Sequence, residues 1–309
     1  MTARLVISAG DPAGIGPEVV LKALADSPPR LPPLVAGDAD QLAAVATRLG
    51  LAPLPEDDVL DAADAAGIVP GDVGARSGRA AVDSVRAALA AIDDRRAAGL
   101  VTAPIAKSAL AAAGYGWAGQ TEMLAELCGA HDLHVLVAGG GLHVVHVTAH
   151  RSLADAVAAV TVARVRRAIE LAADHGRRLG YTGPRIAVAG LNPHAGEGGL
   201  LGSEEEMVIA PAVVDARAAG IDVTGPLSAD TLFPRARDGE YDVVVAMYHD
   251  QGHIPVKLAA GGGAVAMTLG LGVVRTAADH GAAPDIAGRG IADHRSMSAA
   301  IALADRLVA

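Results

Sequence analysis

The chain has 309 residues, of which 51% are hydrophobic and only 2% aromatic, and its formal net charge is −10. A core so poor in aromatic residues must be built from Ala, Val, Leu and Ile, as in helices packed on a buried parallel sheet, and the length allows one large domain or two smaller ones. The acidic balance argues against a nucleic-acid partner, and the single cysteine excludes an internal disulfide. No apolar run reaches membrane-spanning length and the amino-terminal segment has no signal-peptide pattern, so we expect a cytoplasmic protein without a membrane partner.

Predicted strands and helices alternate in the amino-terminal half. A short strand ends at Gly10 and leads through the turn GDPAGIGPE into a helix. Glycines in such a turn let backbone N–H groups approach an anion or a neighbouring chain, although the same pattern is typical of a plain connector. A second strand follows from Leu31, and a helix is predicted over 77–98. Further on, Lys107 lies on a predicted loop, and Thr121 is the candidate cap of the next helix.

Three apolar strands are each predicted to end in a histidine. The runs are LHVVHVTAH, RIAVAGLNPH and DVVVAMYHD, and the histidines are His150, His194 and His249. If the strands share one sheet, their ends fall along one edge and the imidazoles can converge there. Three neutral imidazoles that leave a position open suit a catalytic zinc or a similar divalent ion. The alternative is that each histidine caps its strand or bonds a local carbonyl.

Ionisable residues near the third strand are candidates for proton transfer. His249 and Asp250 are predicted on a loop, Gly252 in a turn that follows, and Asp230 on a separate loop. The candidate general bases are Lys257, Asp250 and Asp230, because a lysine beside a dication loses its proton more readily and carboxylates accept protons. Each has an alternative role: an anion clamp for Lys257, the orientation of His249 for Asp250, and a local cap for Asp230. A strand GAVAMTLG and a helix over 296–308 complete an α/β pattern.

Six motifs, in this order along the chain, resemble one protein family: GDPAGIGPE, GLNPHAGEGG, GPLSADTLF, MYHDQGHIPVK, TLGLGVVRT and DHGAAPDIAG. They resemble the 4-hydroxythreonine-4-phosphate dehydrogenases of pyridoxal-phosphate synthesis and their relatives that oxidise D-threonate or D-erythronate 4-phosphate. The resemblance implies two α/β/α subdomains of the isocitrate and isopropylmalate dehydrogenase type with a cleft between them. It also implies a homodimer with the active site at the subunit interface. We place the first subdomain at 1–120 plus 281–309, and the second, with the metal-ligand histidines and dimer contacts, at 121–280.

The resemblance assigns roles to individual residues. The three strand-end histidines match metal ligands, one of them contributed across the dimer; zinc is the expected metal, with magnesium, manganese and cobalt as alternatives. Basic residues and a hydroxyl match substrate contacts, and we add a lysine that could reach a phosphate: the substrate-binding candidates are Gln120, Thr121, Lys257, Arg275 and Lys107. The last motif looks like an adenosine-binding loop, so the candidates for binding NAD, with NADP as the alternative, are His280, Gly281 and Asp285.

Two departures from the family pattern bear on the substrate. The biosynthetic members commonly carry His where this chain has Gln120, and Asn where it has Ala266, and both positions face substrate in the family. We expect metal- and NAD-dependent oxidative decarboxylation of a phosphorylated four-carbon 3-hydroxy acid, either 4-phosphohydroxy-L-threonine or D-threonate or D-erythronate 4-phosphate. Arg275 favours such a small phosphorylated acid over the dihydrodiol dicarboxylates of terephthalate-type dehydrogenases, because those relatives lack this arginine and a guanidinium binds phosphate or carboxylate in a bidentate manner. An acyl- or phosphotransferase of the same architecture and a non-catalytic binding protein remain alternatives.

Overall fold

The computed structural model describes residues 4–308, so the first three residues, and the predicted bounds at 1 and 309, lie outside the described range. The strands run in chain order as follows: β1 (Leu5–Ser8), β2 (Pro33–Gly37), β3 (Val59–Asp61), β4 (Gly99–Thr102), β5 (His134–Gly139), β6 (Leu142–His146), β7 (Ile186–Ala189), β8 (Val223–Leu227), β9 (Val243–Ala246), β10 (Val265–Leu269) and β11 (Val274–Ala278). The α-helices are α1 (Gly16–Asp26), α2 (Ala39–Leu49), α3 (Ala75–Asp93), α4 (Lys107–Ala112), α5 (Gln120–Leu127), α6 (Leu153–Ala159), α7 (Val162–Arg178), α8 (Ala210–Ala218), α9 (Ala229–Arg237), α10 (His249–Ala260) and α11 (Arg295–Val308). The predicted α/β class is confirmed.

The described residues divide into two compact units, and Asp132–Gly270 form the second. Unit 1 contains the remaining residues on either side of that segment. The sequence-based division after 120 and after 280 differs at both points, because α5 and β11 belong to unit 1. Strand β11 lies there because it pairs in parallel with β4.

Unit 1 is built on a parallel sheet with the order β3-β2-β1-β4-β11. β1 and β4 are fully buried and mainly apolar, as expected for strands in a sheet covered on both faces. The predicted helix over 77–98 is observed as α3, which ends earlier, at Asp93. Gly99 is the first residue of β4, where its lack of a side chain leaves room for Val308.

Unit 2 carries a mixed sheet with the order β10-β5-β6-β9-β7-β8. β5 and β6 form an antiparallel hairpin, and β6, β9, β7 and β8 run parallel. Aliphatic residues from these strands pack against α9 and α10 in a core that includes Val144, Val244 and Leu232. This arrangement puts the carboxyl ends of the parallel strands at one edge of the unit.

Several residues predicted on loops lie instead in the first turns of helices. Lys107 opens α4, Asp230 is the second residue of α9, and His249 and Asp250 open α10. Thr121 is not the cap of α5, because Gly119 precedes the first helical residue. These helices begin almost directly after the preceding strand segment, so each side chain is held at a helix start rather than on a mobile connection.

Within the described range, no helix is long and apolar enough to cross a membrane.

Candidate active site

The three strands that precede the candidate histidines are neighbours in unit 2. β6 pairs in parallel with β9, and β9 pairs in parallel with β7. The ladder continues beyond β6, where the Thr148 N–H donates to the Met247 carbonyl at 3.2 Å. The chain therefore leaves all three strands at the same edge of the sheet, as the sequence predicts for a ligand-binding edge.

Two of the three histidines meet at this edge. The ring centroids of His150 and His249 lie 5.6 Å apart. Two imidazoles bound to one tetrahedral zinc ion, with Zn–N bonds of about 2.1 Å, have centroids about 5 Å apart, so this pair is close to a ligating arrangement. His150 adopts a left-handed backbone conformation with φ +51°. A non-glycine residue held there costs about 1–3 kcal/mol, and such strain is typical of functional sites.

A carboxylate orients the imidazole of His249. Its Nδ1 lies 2.6 Å from Oδ1 of Asp250, and because an ionised carboxylate only accepts, Nδ1–H must be the donor. The lone pair is then on Nε2, which is the tautomer that a metal-binding histidine with a carboxylate partner requires. The donor chemistry at this position therefore fits a divalent transition metal.

His194 has the same carboxylate pairing but stands apart from the other two. Its Nδ1 lies 2.8 Å from Oε1 of Glu197, and the backbone is left-handed throughout 194–199. Among residues 4–308, no group of three or more His, Cys, Asp or Glu side chains is placed to hold one metal ion. The convergence expected for three imidazoles is thus observed within the chain for two.

A buried glutamate fixes the loop that carries His194. The carboxylate of Glu205 accepts the N–H groups of Leu191 and Asn192 at 2.8 and 2.7 Å and the Asn192 amide at 2.9 Å. Glu205 is 3% exposed and opens a π-helical turn, a feature often found near functional sites. Neither Glu205 nor Glu197 stands out in the sequence, because acidic residues beside a Gly-rich loop are usually solvated.

A second layer of histidines lies behind His249. The ring of His253 stacks on it, with centroids 3.8 Å apart and an interplanar angle of 9°, and Nδ1 of His253 lies 3.1 Å from Nε2 of His146. His146 is buried, and its Nδ1 faces the Val135 carbonyl at 3.1 Å. Burial lowers the pKa of the His146 imidazole to about 3, so this ring is neutral.

Gly252 makes this layer possible. It lies inside α10, so its predicted role in a turn is wrong. A Cβ on Gly252 would lie 2.4 Å from Nε2 of His146, which means that only glycine lets the helix pack against that ring. The position of His249 thus depends on a close approach between α10 and β6.

A cavity of about 290 Å³ opens beside the histidine pair. Its lining includes His150, Arg151, Tyr248, His249 and Asp250, with apolar side chains from α6 on another wall. This volume is close to the lower limit for small-molecule sites and suits a compact ligand of a few carbon atoms. Arg151 was not identified from the sequence, because one arginine after a strand carries no pattern.

The structure separates the three candidate bases. Asp250 is engaged with His249, as described above. Asp230 accepts a hydrogen bond from Ser228 Oγ at 2.5 Å, which lowers the pKa of its carboxyl and makes it a weak base. Lys257 is exposed on α10 and continues the row of residues spaced by four that contains His249 and His253. Lys257 therefore shares a face of α10 with the two histidines.

Two of the substrate-binding candidates of unit 1, Arg275 and Gln120, are in contact. Arg275 is 5% exposed, and burial lowers its pKa to about 10. Its Nη2 donates to Thr102 Oγ1 at 2.5 Å and to Gln120 Oε1 at 2.9 Å, and both acceptors are neutral. Gln120 in turn donates to the Ala103 carbonyl at 3.0 Å, so the amide orientation is fixed. A buried guanidinium at this position offers directed N–H donors of the kind that bind an anion.

Two further candidates lie beside this cluster. A Cβ on Gly119 would lie 3.5 Å from Cε of Lys107, so this lysine reaches the residue that precedes Gln120. Thr121 is half-buried in the first turn of α5. Ala266 lies on β10 in unit 2, where it is half-buried and pairs with Val137.

The cofactor candidates lie on the loop after β11, which packs against the glycine-rich turn. The Ile15 N–H donates to the Ala282 carbonyl at 2.8 Å, and a Cβ on Gly14 would lie 2.8 Å from the same oxygen. The Ala13 and Gly14 N–H groups are taken up by Asp11. Of the two roles considered for this turn, its glycine therefore serves the approach of a neighbouring segment and its N–H groups do not present an open anion site.

The same loop is anchored at its far end. Glu18, buried in α1, accepts the N–H groups of Gly290 and Ala292, and Lys22 donates to the carbonyls of both residues. Between these anchors, Gly281 and Asp285 are exposed. Nε2 of His280 is buried and has no hydrogen-bond partner in the part of the chain that the structure describes. A fixed loop with an unsatisfied ring nitrogen and an exposed carboxylate fits a hydroxyl-rich ligand such as a nucleoside.

Comparisons with known proteins agree with the resemblance drawn from the motifs. The family model for pyridoxal phosphate biosynthetic protein PdxA matches residues 30–304. A 4-hydroxythreonine-4-phosphate dehydrogenase from Beijerinckia indica subsp. indica is 46% identical over 98% of this chain and 94% of its own length. A D-threonate 4-phosphate dehydrogenase from Cupriavidus necator is 45% identical over 96% of this chain and 94% of its own.

A solved structure shows the same fold. The crystal structure of 4-hydroxythreonine-4-phosphate dehydrogenase from Klebsiella pneumoniae has a TM-score of 0.89 and 39% identity, and the match covers 100% of both chains. The family model, the two relatives and this structure each match most or all of the chain. The chain therefore belongs to the PdxA family of pyridoxal phosphate biosynthetic proteins.

Proposed function

We propose that this chain is a metal- and NAD-dependent dehydrogenase that oxidises and decarboxylates a phosphorylated four-carbon 3-hydroxy acid. The observation that carries the proposal is the imidazole pair of His150 and His249 beside a small cavity. It occurs in a chain whose relatives are named as dehydrogenases of such acids. Identity to the two named classes of relative is nearly equal, so the choice between their substrates needs an experiment.

The metal would be held by histidines whose other ring nitrogen is already engaged. Asp250 supports His249, and Glu197 supports His194 in the same way. A divalent ion held there would supply Lewis acidity to the oxygen of the substrate's 3-hydroxyl and then to the carbonyl that replaces it. Imidazole ligands suit zinc, which we propose as the resident ion.

The nicotinamide cofactor would bind at the anchored loop after β11. His280, Gly281 and Asp285 would contact its adenosine half, and the carboxylate of Asp285 would bind ribose hydroxyls and disfavour the 2′-phosphate of NADP. NAD⁺ would accept the hydride from the carbon that carries the hydroxyl. We propose NAD as the cofactor because the carboxylate of Asp285 would disfavour the 2′-phosphate of NADP.

Proton transfer would fall to Lys257, since Asp250 and Asp230 are engaged elsewhere. A neutral lysine would accept the hydroxyl proton as the hydride leaves, which gives a 3-keto acid. The carboxylate then leaves as CO₂, the electron pair of the broken bond enters an enolate, and the returned proton completes the ketone. Arg275 would hold an anionic group of the substrate, because a buried guanidinium forms bidentate bonds to phosphate.

We further propose a homodimer that forms through unit 2 and completes the metal site. Large apolar side chains are exposed on this unit: Leu200 (84%), Leu258 (80%), Met207 (69%), Val214 (60%) and Ile254 (56%). Ile254 and Leu258 are four residues apart on α10, the helix that starts with His249, so an apolar strip runs beside the histidine pair. A third imidazole contributed across the interface would complete the ligand set.

The test is NADH formation from a panel of acids. The panel holds 4-phosphohydroxy-L-threonine, D-threonate and D-erythronate 4-phosphates, and a dihydrodiol dicarboxylate as the unphosphorylated comparison. We expect turnover of at least one phosphorylated acid and none of the dicarboxylate. Turnover of the sugar-acid phosphates alone would mean that Gln120 and Ala266 mark a changed substrate. Absence of NADH with every phosphorylated acid would overturn the proposed substrate class.

A further inference from the structure

We propose that Arg151 is a substrate-binding residue that recognises an oxyanion of the substrate, a carboxylate or a phosphate, in the cavity beside His150 and His249. This inference rests on the proposed function, which supplies a substrate with two anionic groups. Nothing in the motifs assigns a role to Arg151. Its position, its freedom from other partners and the charge of the cavity carry the inference.

The position of Arg151 is set by its neighbour. His150 has a left-handed backbone at the end of the β6 segment, and Arg151 follows it directly. Both side chains line the same cavity of about 290 Å³, together with Tyr248 and His249. A ligand that reaches the histidine pair therefore lies within the reach of the guanidinium.

Arg151 differs from every other arginine in unit 2. The others are engaged in hydrogen bonds or ion pairs with backbone carbonyls or carboxylates: Arg164, Arg166, Arg167, Arg177, Arg178, Arg185, Arg217, Arg235 and Arg237. Arg151 is exposed and forms neither kind of contact with any residue that the structure describes. Its five N–H donors therefore remain for a ligand.

The lining of the cavity offers an anion one guanidinium. The chain carries a formal net charge of −10, so an acidic substrate needs local positive charge. Arg151 is the sole Arg or Lys in the lining of the cavity, and the one carboxylate there, Asp250, is engaged with His249. A fork of donors opposite an oxyanion gives bidentate bonds, which fix the orientation of the substrate as well as its affinity.

The experiment compares Arg151→Met and Arg151→Lys with the wild-type holoenzyme. We expect Arg151→Met to raise the KM for the phosphorylated acid about tenfold to a hundredfold, with kcat within about threefold, because a charge-assisted pair is lost. Lysine keeps the charge without the fork, so Arg151→Lys should recover part of the KM. Arg166→Met is the matched control, since Arg166 pairs with Glu170 on α7 outside the cavity, and its KM should be unchanged.

Two further measurements separate recognition from structure. The zinc affinity and the thermal midpoint of Arg151→Met should equal those of the wild type, because Arg151 is exposed and has no hydrogen bond or ion pair with any residue that the structure describes. The unphosphorylated form of the same acid identifies the group bound. If Arg151→Met raises its KM by the same factor, Arg151 binds the carboxylate; if the effect disappears, Arg151 binds the phosphate.

The inference and the proposed function fail in different ways. If the wild type turns over a phosphorylated acid and Arg151→Met leaves its KM within about twofold, the inference is wrong and the proposed function stands. If the wild type turns over none of the acids, the function fails, and calorimetry of inorganic phosphate and of D-threonate 4-phosphate with both proteins decides the inference. Binding to the wild type but not to Arg151→Met would support it, and equal binding or none would overturn it.

Discussion

Gly252 in α10 lies directly against the imidazole of His146 on β6: a Cβ at position 252 would stand 2.4 Å from Nε2 of that ring. His146 is buried and its ring faces the Val135 carbonyl, so it cannot move aside at low cost. The same contact places His249, one turn earlier on α10, beside His150. The placement of His150 and His249 therefore depends on Gly252, which packs against His146.

We expect Gly252→Ala to destabilise the protein despite the better helix propensity of alanine. Overpacking against a fixed ring costs about 1–3 kcal/mol, which exceeds the gain of about 1 kcal/mol from removing a helical glycine. Urea unfolding measures the difference. Gly183→Ala is the control, because nothing lies within 4 Å of a Cβ there, and it should leave the free energy of unfolding almost unchanged.

The carboxylates behind the histidines should tune metal affinity. Asp250→Asn and Glu197→Gln each replace the charged acceptor of a histidine Nδ1–H by a neutral amide, and loss of such a carboxylate partner typically costs about tenfold to a hundredfold in affinity. Competition with a chromophoric chelator gives the zinc dissociation constant. Asp174→Asn, on the surface of α7, is the matched control. Equal zinc affinity in the wild type and all three variants would contradict the assigned ligands.

A mixing experiment tests whether the third ligand comes from another subunit. His194→Ala and His249→Ala should each be inactive alone. If His194 serves the site of the partner, a heterodimer of the two variants has one intact site, because one subunit supplies His150 and His249 and the other supplies His194. We expect activity to appear after the two are unfolded together and refolded. Continued inactivity, with heterodimers detected by a tag, would place all three ligands in one subunit.

The buried imidazole of His146 should make unit 2 sensitive to acid. Its pKa is lowered from 6.5 to about 3 in the folded protein. Between these values the unfolded chain binds a proton at this residue that the folded chain does not, so the free energy of unfolding falls as pH falls, by up to about 1.4 kcal/mol per pH unit. Above the pKa of the unfolded chain, the imidazole is neutral in both states, and the free energy of unfolding no longer changes with pH through His146. Urea titrations in chelator across this window measure the slope.

Two variants check the origin of that slope. His146→Gln should reduce it, because the residue no longer titrates in either state. His131→Gln should not, since His131 is exposed. An unchanged slope in His146→Gln would mean that other groups, such as His134, whose pKa burial also lowers, account for the acid sensitivity.

The approach of His150 to His249 could be predicted from the sequence because it depends on strand order alone. Apolar runs reveal β6 and β9, and parallel neighbours bring their following residues to one edge. The helix starts at Lys107, Asp230 and His249 could not be predicted in the same way. For His249 the reason is that Gly252 and Pro255 within α10 resemble a turn. In the folded chain, contact with His146 explains the glycine, and packing of α10 on the sheet outweighs its weak propensity.

Tertiary packing also decided which polar residues are buried. Glu205 and His253 have no apolar periodicity that marks them as interior, and their burial follows from loops and helices that meet only in the fold. The partners of Arg275 were likewise hidden, since Thr102 and Gln120 lie far from it in the chain. Ligands supplied by another subunit leave no signal of position in one sequence.

The most direct test of the central claim is the joint measurement of NADH and CO₂ from D-threonate 4-phosphate and 4-phosphohydroxy-L-threonine, before chelation, after chelation and after zinc is restored. We predict equal amounts of the two products from at least one acid, loss of both on chelation, and recovery with zinc in the wild type but not in His249→Ala. Undiminished turnover of the fully chelated enzyme, or NADH without CO₂, would contradict a metal-dependent oxidative decarboxylation at His150 and His249.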